Sequence, residues 1–283
     1  MPVMRRTRIA LNVQGIPVVK DLIVAEKEPF SPSLNSLREP ERRVVGGYQK
    51  KIARLLLDIA GMEELRHFGT RRSLPGRVLE TFRRVMDLFD ESTRYLLGCL
   101  QDRGIFVRCG PQCPHCCYNM PSGLSNLELI GIYHGSVCTG MAPRLFRRCL
   151  EAGETWEGLL QRNPRQDDRD APGALHHSRE ELLKRYLGQC MPCPFLHRSF
   201  CVVYPYRPMA CRMHFSLSPP HWCNPAHFQN PHAVSFNLEP GECVQKALDR
   251  LDARFCLNIS DIMICGFLEL TVNIMQFEPI RWT

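Results

Sequence analysis

The chain lacks an apolar stretch long enough to cross a bilayer. Its strongest late run, Ile262 to Phe277, is interrupted by Glu269 and Asn273 and falls short of about 20 residues, so no membrane span is expected. No secretory leader is expected either, because Asn12, Gln14, Lys20 and Asp21 break up the apolar patches of Met1 to Glu26. There is no G-x-G-x-x-G and no G-x-x-x-x-G-K, so nucleotide cofactors lack their usual glycine-rich cradle. Absence of a G-x-S-x-G elbow removes one familiar route to a serine hydrolase. No fixed-period repeat or low-complexity tract is present.

What the chain does have is length, basic charge and sulfur. With 283 residues it exceeds the typical single domain. A chain of this length can bury roughly 75% of its unfolded surface, so it needs no covalent staples. The net charge of +7 is unevenly placed: residues 1–108 hold 20 Lys+Arg against 13 Asp+Glu, whereas 109–283 hold 16 of each. Solvated helix faces are the favoured reading of that excess. An acidic partner or nucleic acid stays open, although no DNA- or RNA-binding motif accompanies the charge.

Periodicity predicts a mainly α fold. Residues 7–26 alternate weakly around Gln14-Gly15 and allow a short hairpin, and 29–41 read as a linker or ordered loop. Tyr48, Ile52, Leu55, Ile59 and Met62 then recur at helical spacing. A longer helix follows Pro75, with Val78, Phe82, Val85, Phe89, Leu96 and Leu100 on one face. Ser125-Asn126-Leu127-Glu128 is a capping box, and Ser178-Arg179-Glu180-Glu181 is a second. Residues 141–161 read as helix, 162–177 as a polar insertion, and the proline-rich stretch from Cys190 to Pro231 as loops. From about Gly241 two helices are expected, broken near Asn258-Ile259-Ser260. The expected division is a basic helical extension (1–108), a cysteine-rich segment (109–230) and C-terminal helices packing on the core (231–283).

The 15 cysteines need a chemical explanation. They are odd in number and make up about 5% of residues, below the roughly 8–10% of small disulfide scaffolds. With no leader in view, a reducing, cytoplasmic setting is expected, where dense cysteine means metal or redox chemistry. Arg108-Cys109-Gly110-Pro111-Gln112-Cys113-Pro114-His115-Cys116-Cys117 packs four thiols into nine residues. Such spacings let one turn of backbone aim several thiolates at a single point. A second group comprises Cys190, Cys193, Cys201, Cys211 and Cys223.

The strongest eight candidates for metal ligation are Cys109, Cys113, Cys116, Cys117, Cys193, Cys201, Cys211 and Cys223, with Cys190 ambiguous. Neighbouring side chains diverge, so Cys116-Cys117 suggests two adjacent centres or one polynuclear cluster. Four thiolates around Zn²⁺ or a [4Fe–4S]²⁺ core leave about −2 on the site. Arg108, Arg207 and Arg212 flank ligand candidates and could offset that charge through hydrogen bonds to the cofactor's thiolates. Cys99, Cys138, Cys149, Cys243, Cys256 and Cys265 read as ordinary thiols. His115, His214, His221 and His227 lie near the cysteines but read more readily as hydrogen-bonded or surface residues. The spacing Cys109-x3-Cys113-x2-Cys116 is also that of the radical S-adenosylmethionine motif. The barrel pattern and Gly-Gly-Glu-like stretch which that reading needs do not follow.

Together, Cys109-x3-Cys113-x2-Cys116-Cys117, Cys193-Pro-Phe-Leu, Cys201-Val-Val-Tyr204, Arg207-Pro208, Cys211-Arg212 and Cys223 resemble the YkgJ-type cysteine-cluster family, described as a zinc- or iron-chelating domain. The resemblance spans residues 109–223 and implies a chelating role for the eight cysteines named above. It also implies that Glu128 belongs to the helix after the first thiol group. One branch of that family is similar to iron–sulfur flagellin lysine methylases, which implies modification of a protein or peptide partner. The expected cofactor is an iron–sulfur cluster of the [4Fe–4S] type. The alternatives are zinc in a structural or interaction module, and metal storage or delivery.

Overall fold

The computed structural model describes residues 37–110, 113–161 and 174–283, with the side chains of 174–178 left aside. The expected hairpin in 7–26, most of the 29–41 loop and most of the 162–177 insertion lie outside the described residues.

The protein is mainly α, and the apolar periodicities explain why. The long helices α1 (Glu39–Ala60) and α3 (Gly76–Gln101) coincide with the two predicted faces. A short helix α2 (Phe68–Arg71) and a two-residue strand β1 (Ser73–Leu74) lie between them. The helix α4 (Asn126–Cys138) begins where the first capping box places it: Ser125 N donates to Glu128 Oε2 at 2.7 Å, and Glu128 N donates to Ser125 Oγ at 3.4 Å. Next come α5 (Ala142–Gln161) and α6 (Ala174–Leu187), the latter starting four residues before the second capping-box serine. The backbone from Ala174 to Ser178 is already helical, so the box residues fall inside the helix instead of opening it.

From Cys190 to Pro231 the backbone forms short elements only: β2 (Leu196–His197), β3 (Phe200–Cys201), α7 (Met209–Arg212) and β4 (His214–Ser216). Strand β5 (Ser235–Asn237) pairs antiparallel with β4. The chain ends with α8 (Glu242–Phe255), α9 (Met263–Glu269) and β6 (Arg281–Trp282), and the break between α8 and α9 includes residues 258–260. A single π-helical turn, Leu270–Met275, continues α9.

One apolar cluster joins all three sequence segments. It contains Ile52 and Leu56 of α1, Val78 and Val85 of α3, Leu127 and Ile130 of α4, Leu251 and Phe255 of α8, and Phe267 of α9. Helix α1 packs against both α8 and α3, while α9 packs against α4 and α5. Glycines permit two of the close approaches. A Cβ on Gly135 of α4 would stand 2.4 Å from the Tyr206 ring, and one on Gly266 of α9 would stand 2.2 Å from Ser260 O. The first contact seats the Tyr204–Tyr206 turn, and with it the cysteine-bearing loops, on α4. A smaller cluster, Leu100, Phe236 and Leu238, fastens the end of α3 to the β4–β5 pair. Among the described residues no helix is long and apolar enough to cross a membrane.

Candidate metal centre

The two distant sulfur-bearing segments converge. After α3 the chain runs beside β4, where Arg108 N donates to Ser216 O at 2.8 Å and Ser216 N donates to Cys109 Sγ at 3.1 Å. The 3-10 turn His115–Tyr118, carrying Cys116 and Cys117, packs against a second such turn, Pro220–Cys223. Cys193 N donates to Cys117 O at 2.5 Å, which ties the first thiol group to the entry of the β2–β3 hairpin. Cys201 closes that hairpin and Cys211 sits in α7.

As a result Cys113, Cys116, Cys117, Cys193, Cys201 and Cys211 line one cavity of about 400 Å³. Cys109 and Cys223 stand beside it, within electrostatic reach of Cys113 and Cys116. All eight are half-buried, and none of the 15 cysteines is in a disulfide. Among the described residues, however, no group of three or more His, Cys, Asp or Glu side chains is assembled as a ready-made metal site.

Burial governs the chemistry of these thiols. It pushes Cys109 up to about 11 and Cys193 up to about 12, and raises Cys201, Cys211 and Cys223 as well. A backbone N–H from Ser216 partly offsets the effect at Cys109. Cys116 behaves differently: the Cys117 thiol donates a hydrogen bond to it and holds it down at about 7, with the Arg207 charge helping. The same interaction raises Cys117, which must give up the shared proton second.

Arg207 lines the cavity, and its Cζ lies 4.0 Å from the Tyr204 ring centroid. Its charge favours the thiolate form of Cys116, Cys201 and Cys211. Its Nε is buried with no hydrogen-bond partner. Arg212 turns the other way: its guanidinium pairs with Asp90 of α3 and donates to Arg207 O and Pro205 O at 2.8 and 3.0 Å. It therefore shapes the loop that presents Arg207. Arg108 contributes its backbone N–H, through the bond to Ser216.

Glu128 is a brace that the sequence showed only as a helix cap. Its Oε2 accepts from Ser125 N, and its Oε1 accepts from Met209 N of α7 at 2.7 Å, two residues before Cys211. Burial raises its pKa, and the Met209 and Ser125 donors oppose the shift. Asp90 and Ser216 escaped sequence reasoning. Asp90 sits on the polar side of a helix and Ser216 in a short strand, and only the tertiary fold brings them to Arg212 and Cys109.

The remaining thiols divide. Cys190 is exposed, with a positive φ of 53°, and does not line the cavity. Cys149 is fully buried in α5, and Cys138, Cys243 and Cys256 are exposed. The histidines matter more than expected. His115 Nδ1 is buried without a partner; burial, then His221 and His227, lowers its pKa. The rings of His221 and His227 are 5.0 Å apart, on either side of Cys223 in sequence. His214 lines the cavity and is hydrogen-bonded to Asn237 Oδ1 at 3.0 Å.

Comparison of the chain with known protein families, with curated proteins and with solved structures finds no match. The residues themselves therefore carry the argument. Thiols gathered from distant segments are the donor type that soft cations take, and the Arg207 guanidinium, itself no ligand, sets a positive charge against their thiolate forms.

Proposed function

We propose that this is a metal-binding protein in which Cys109, Cys113, Cys116, Cys117, Cys193, Cys201, Cys211 and Cys223 supply the thiolates of an iron–sulfur centre of the [4Fe–4S] type, four thiolates to each cluster. One observation carries the reading: six of these thiols, drawn from residues 113–117 and 193–211, line the same cavity. A vicinal pair rarely closes on one ion in a relaxed tetrahedron, and Cys116 and Cys117, hydrogen-bonded to each other here, are placed to serve neighbouring irons of a polynuclear centre. Arg207 would offset the negative charge of the thiolates, and Glu128, through Met209, would hold α7 in register with the first thiol group.

When bound, such a centre supplies one-electron redox chemistry. The same thiol-lined cavity has the volume of a small-ligand pocket, and redox or protein-modifying chemistry is proposed there in the manner of the family that the cysteine pattern resembles. The setting proposed with it is the reducing cytoplasm.

A second reading has its own support. His115, His221 and His227 crowd the side of the site that holds Cys109, Cys113 and Cys223, a Cys/His mixture typical of zinc. In that case the metal fastens the loops and the protein acts as an interaction module.

Anaerobic purification followed by iron, zinc and acid-labile sulfide analysis separates the two. Iron and sulfide in near-equal amounts, with broad visible absorption, support the first reading. Stoichiometric zinc in a colourless protein removes it, and a protein that takes up neither metal sinks both.

A further inference from the structure

The mouth of the thiol cavity is built from a hairpin whose tip is conformationally costly. Strands β2 and β3 pair antiparallel, Leu196 with Cys201 and His197 with Phe200, leaving Arg198 and Ser199 as a two-residue turn. Both adopt left-handed backbone, with φ of 49° and 63°. That is hairpin geometry suited to Asn-Gly, and an arginine and a serine hold it against their own preference. Backbone held in an unfavourable region is a pointer to function at the tip.

Cations gather there. Arg198 from the turn and Arg144 and Arg148 from the first turns of α5 each act on the charge of His197, whose pKa is lowered by burial first and by these three charges after it. Arg144 and Arg198 are exposed. Arg148 donates to Leu196 O at 2.7 Å, which fixes the helix to the hairpin. Among the described residues none of the three guanidiniums reaches a carboxylate. Beside them Phe200 is 45% exposed and lies stacked on Tyr204, with ring centroids 5.6 Å apart. Ser199, Phe200 and Tyr204 all line the cavity, so the hairpin turn that carries Arg198 borders it.

We propose that the β2–β3 tip and the start of α5 form a docking surface for an acidic peptide segment of a partner protein, which lies across the cavity mouth. Charge complementarity identifies the partner, since unpaired arginines bind carboxylates with bidentate hydrogen bonds. The layout favours a short peptide over nucleic acid. Arg144 and Arg148 lie one helical turn apart, about 6 Å along the axis, whereas single-strand binders track a backbone over roughly 4–16 nucleotides. The ring of Phe200 offers an apolar contact at the edge of the patch. This surface is independent of what the thiols hold.

The test uses the full chain and a fluorescein-labelled peptide of six glutamates followed by phenylalanine, read by anisotropy at about 50 and 150 mM salt. Micromolar binding is expected, weakened at the higher salt, lost by at least ~10-fold in the double variant R144E/R198E and by a few-fold in F200S. Charge reversal far away, R42E/R43E on α1, is expected to leave binding within about two-fold. Circular dichroism and melting temperature check that each variant is folded. The proposal is overturned if the peptide does not bind, if both charge-reversed pairs weaken it equally, or if a 12-nucleotide single strand or a phosphatidylserine vesicle binds more tightly at the same salt.

Discussion

The helical body and the thiol-bearing loops are built on different principles. In the body, α1, α3 and α8 bury continuous apolar faces: Val45, Leu56, Ile59, Val78, Val85 and Leu251 are all fully enclosed. The loops from Cys190 to Pro231 bury fewer side chains and are held by single polar ties such as Met209 N to Glu128, Arg212 to Asp90 and Ser216 N to Cys109. The body is therefore expected to set overall stability, while the loops depend on a few bonds and, in the proposed function, on a cation that neutralises their thiolates. Where burial alone acts, the thiols stay protonated, so metal loading must release protons and strengthen as pH rises.

The largest expected effect lies in the body. Leu251→Ala removes a fully buried side chain from the cluster that α8 shares with α1, at a cost of about 2–5 kcal/mol. Urea unfolding of metal-free protein checks this, and a loss under about 1 kcal/mol would mean that the α1–α8 seam is not the stabilising core. Glu128→Gln comes next, because glutamine cannot accept at both Oε positions and would set an amide donor against Ser125 N or Met209 N. A cost of about 1–3 kcal/mol is expected. Unlike the leucine variant, it should also impair metal loading by letting α7 drift, so equal loading in the two variants would break the distinction.

Asp252 sharpens the comparison from the opposite direction. Burial, assisted by the nearby Glu128, Asp249 and Asp261, raises its pKa from 3.8 to about 6, although Asn126 N donates to it at 2.7 Å. A carboxyl raised on folding contributes most at low pH, and that contribution is lost as pH rises from about 4 through about 6. Asp252→Asn keeps an acceptor for Asn126 N and is expected to stabilise the neutral-pH protein by about 1–3 kcal/mol, with no gain at pH 3.5. A gain that is the same at both pH values would show that titration is not its origin. The smallest effect on folding is expected from Cys193→Ala with Cys211→Ala. Metal-free stability should change by about 1 kcal/mol, while bound metal per chain falls by at least half. If metal content is unchanged, these thiols are not ligands.

Much of the body was legible in the sequence. The 3.6-residue periodicities of Ile52–Ile59 and Val78–Leu100 and the Ser125/Glu128 box are local signals, and helices follow local signals where an apolar face finds a partner. The start of α6 was not, since a capping box predicts an end only if the chain before it is not itself helical. At the site, cysteine spacing singled out eight candidates, of which six line one cavity and Cys109 and Cys223 do not. It could not rank the arginines. Arg207 and Arg212 look equivalent beside their cysteines, yet one faces the cavity and the other is taken up by Asp90 from a helix more than a hundred residues away.

The sequence by itself determined which residues form helices and which thiols are candidates, because both are written in spacings of a few residues. Only the tertiary structure decided that Cys113 and Cys211 share a cavity, that Glu128 reaches α7, and that Arg198 and Arg144 both act on His197. Those pairings depend on how α4 and α5 pack against the loops, and packing is settled by burial over the whole chain, which no local pattern encodes.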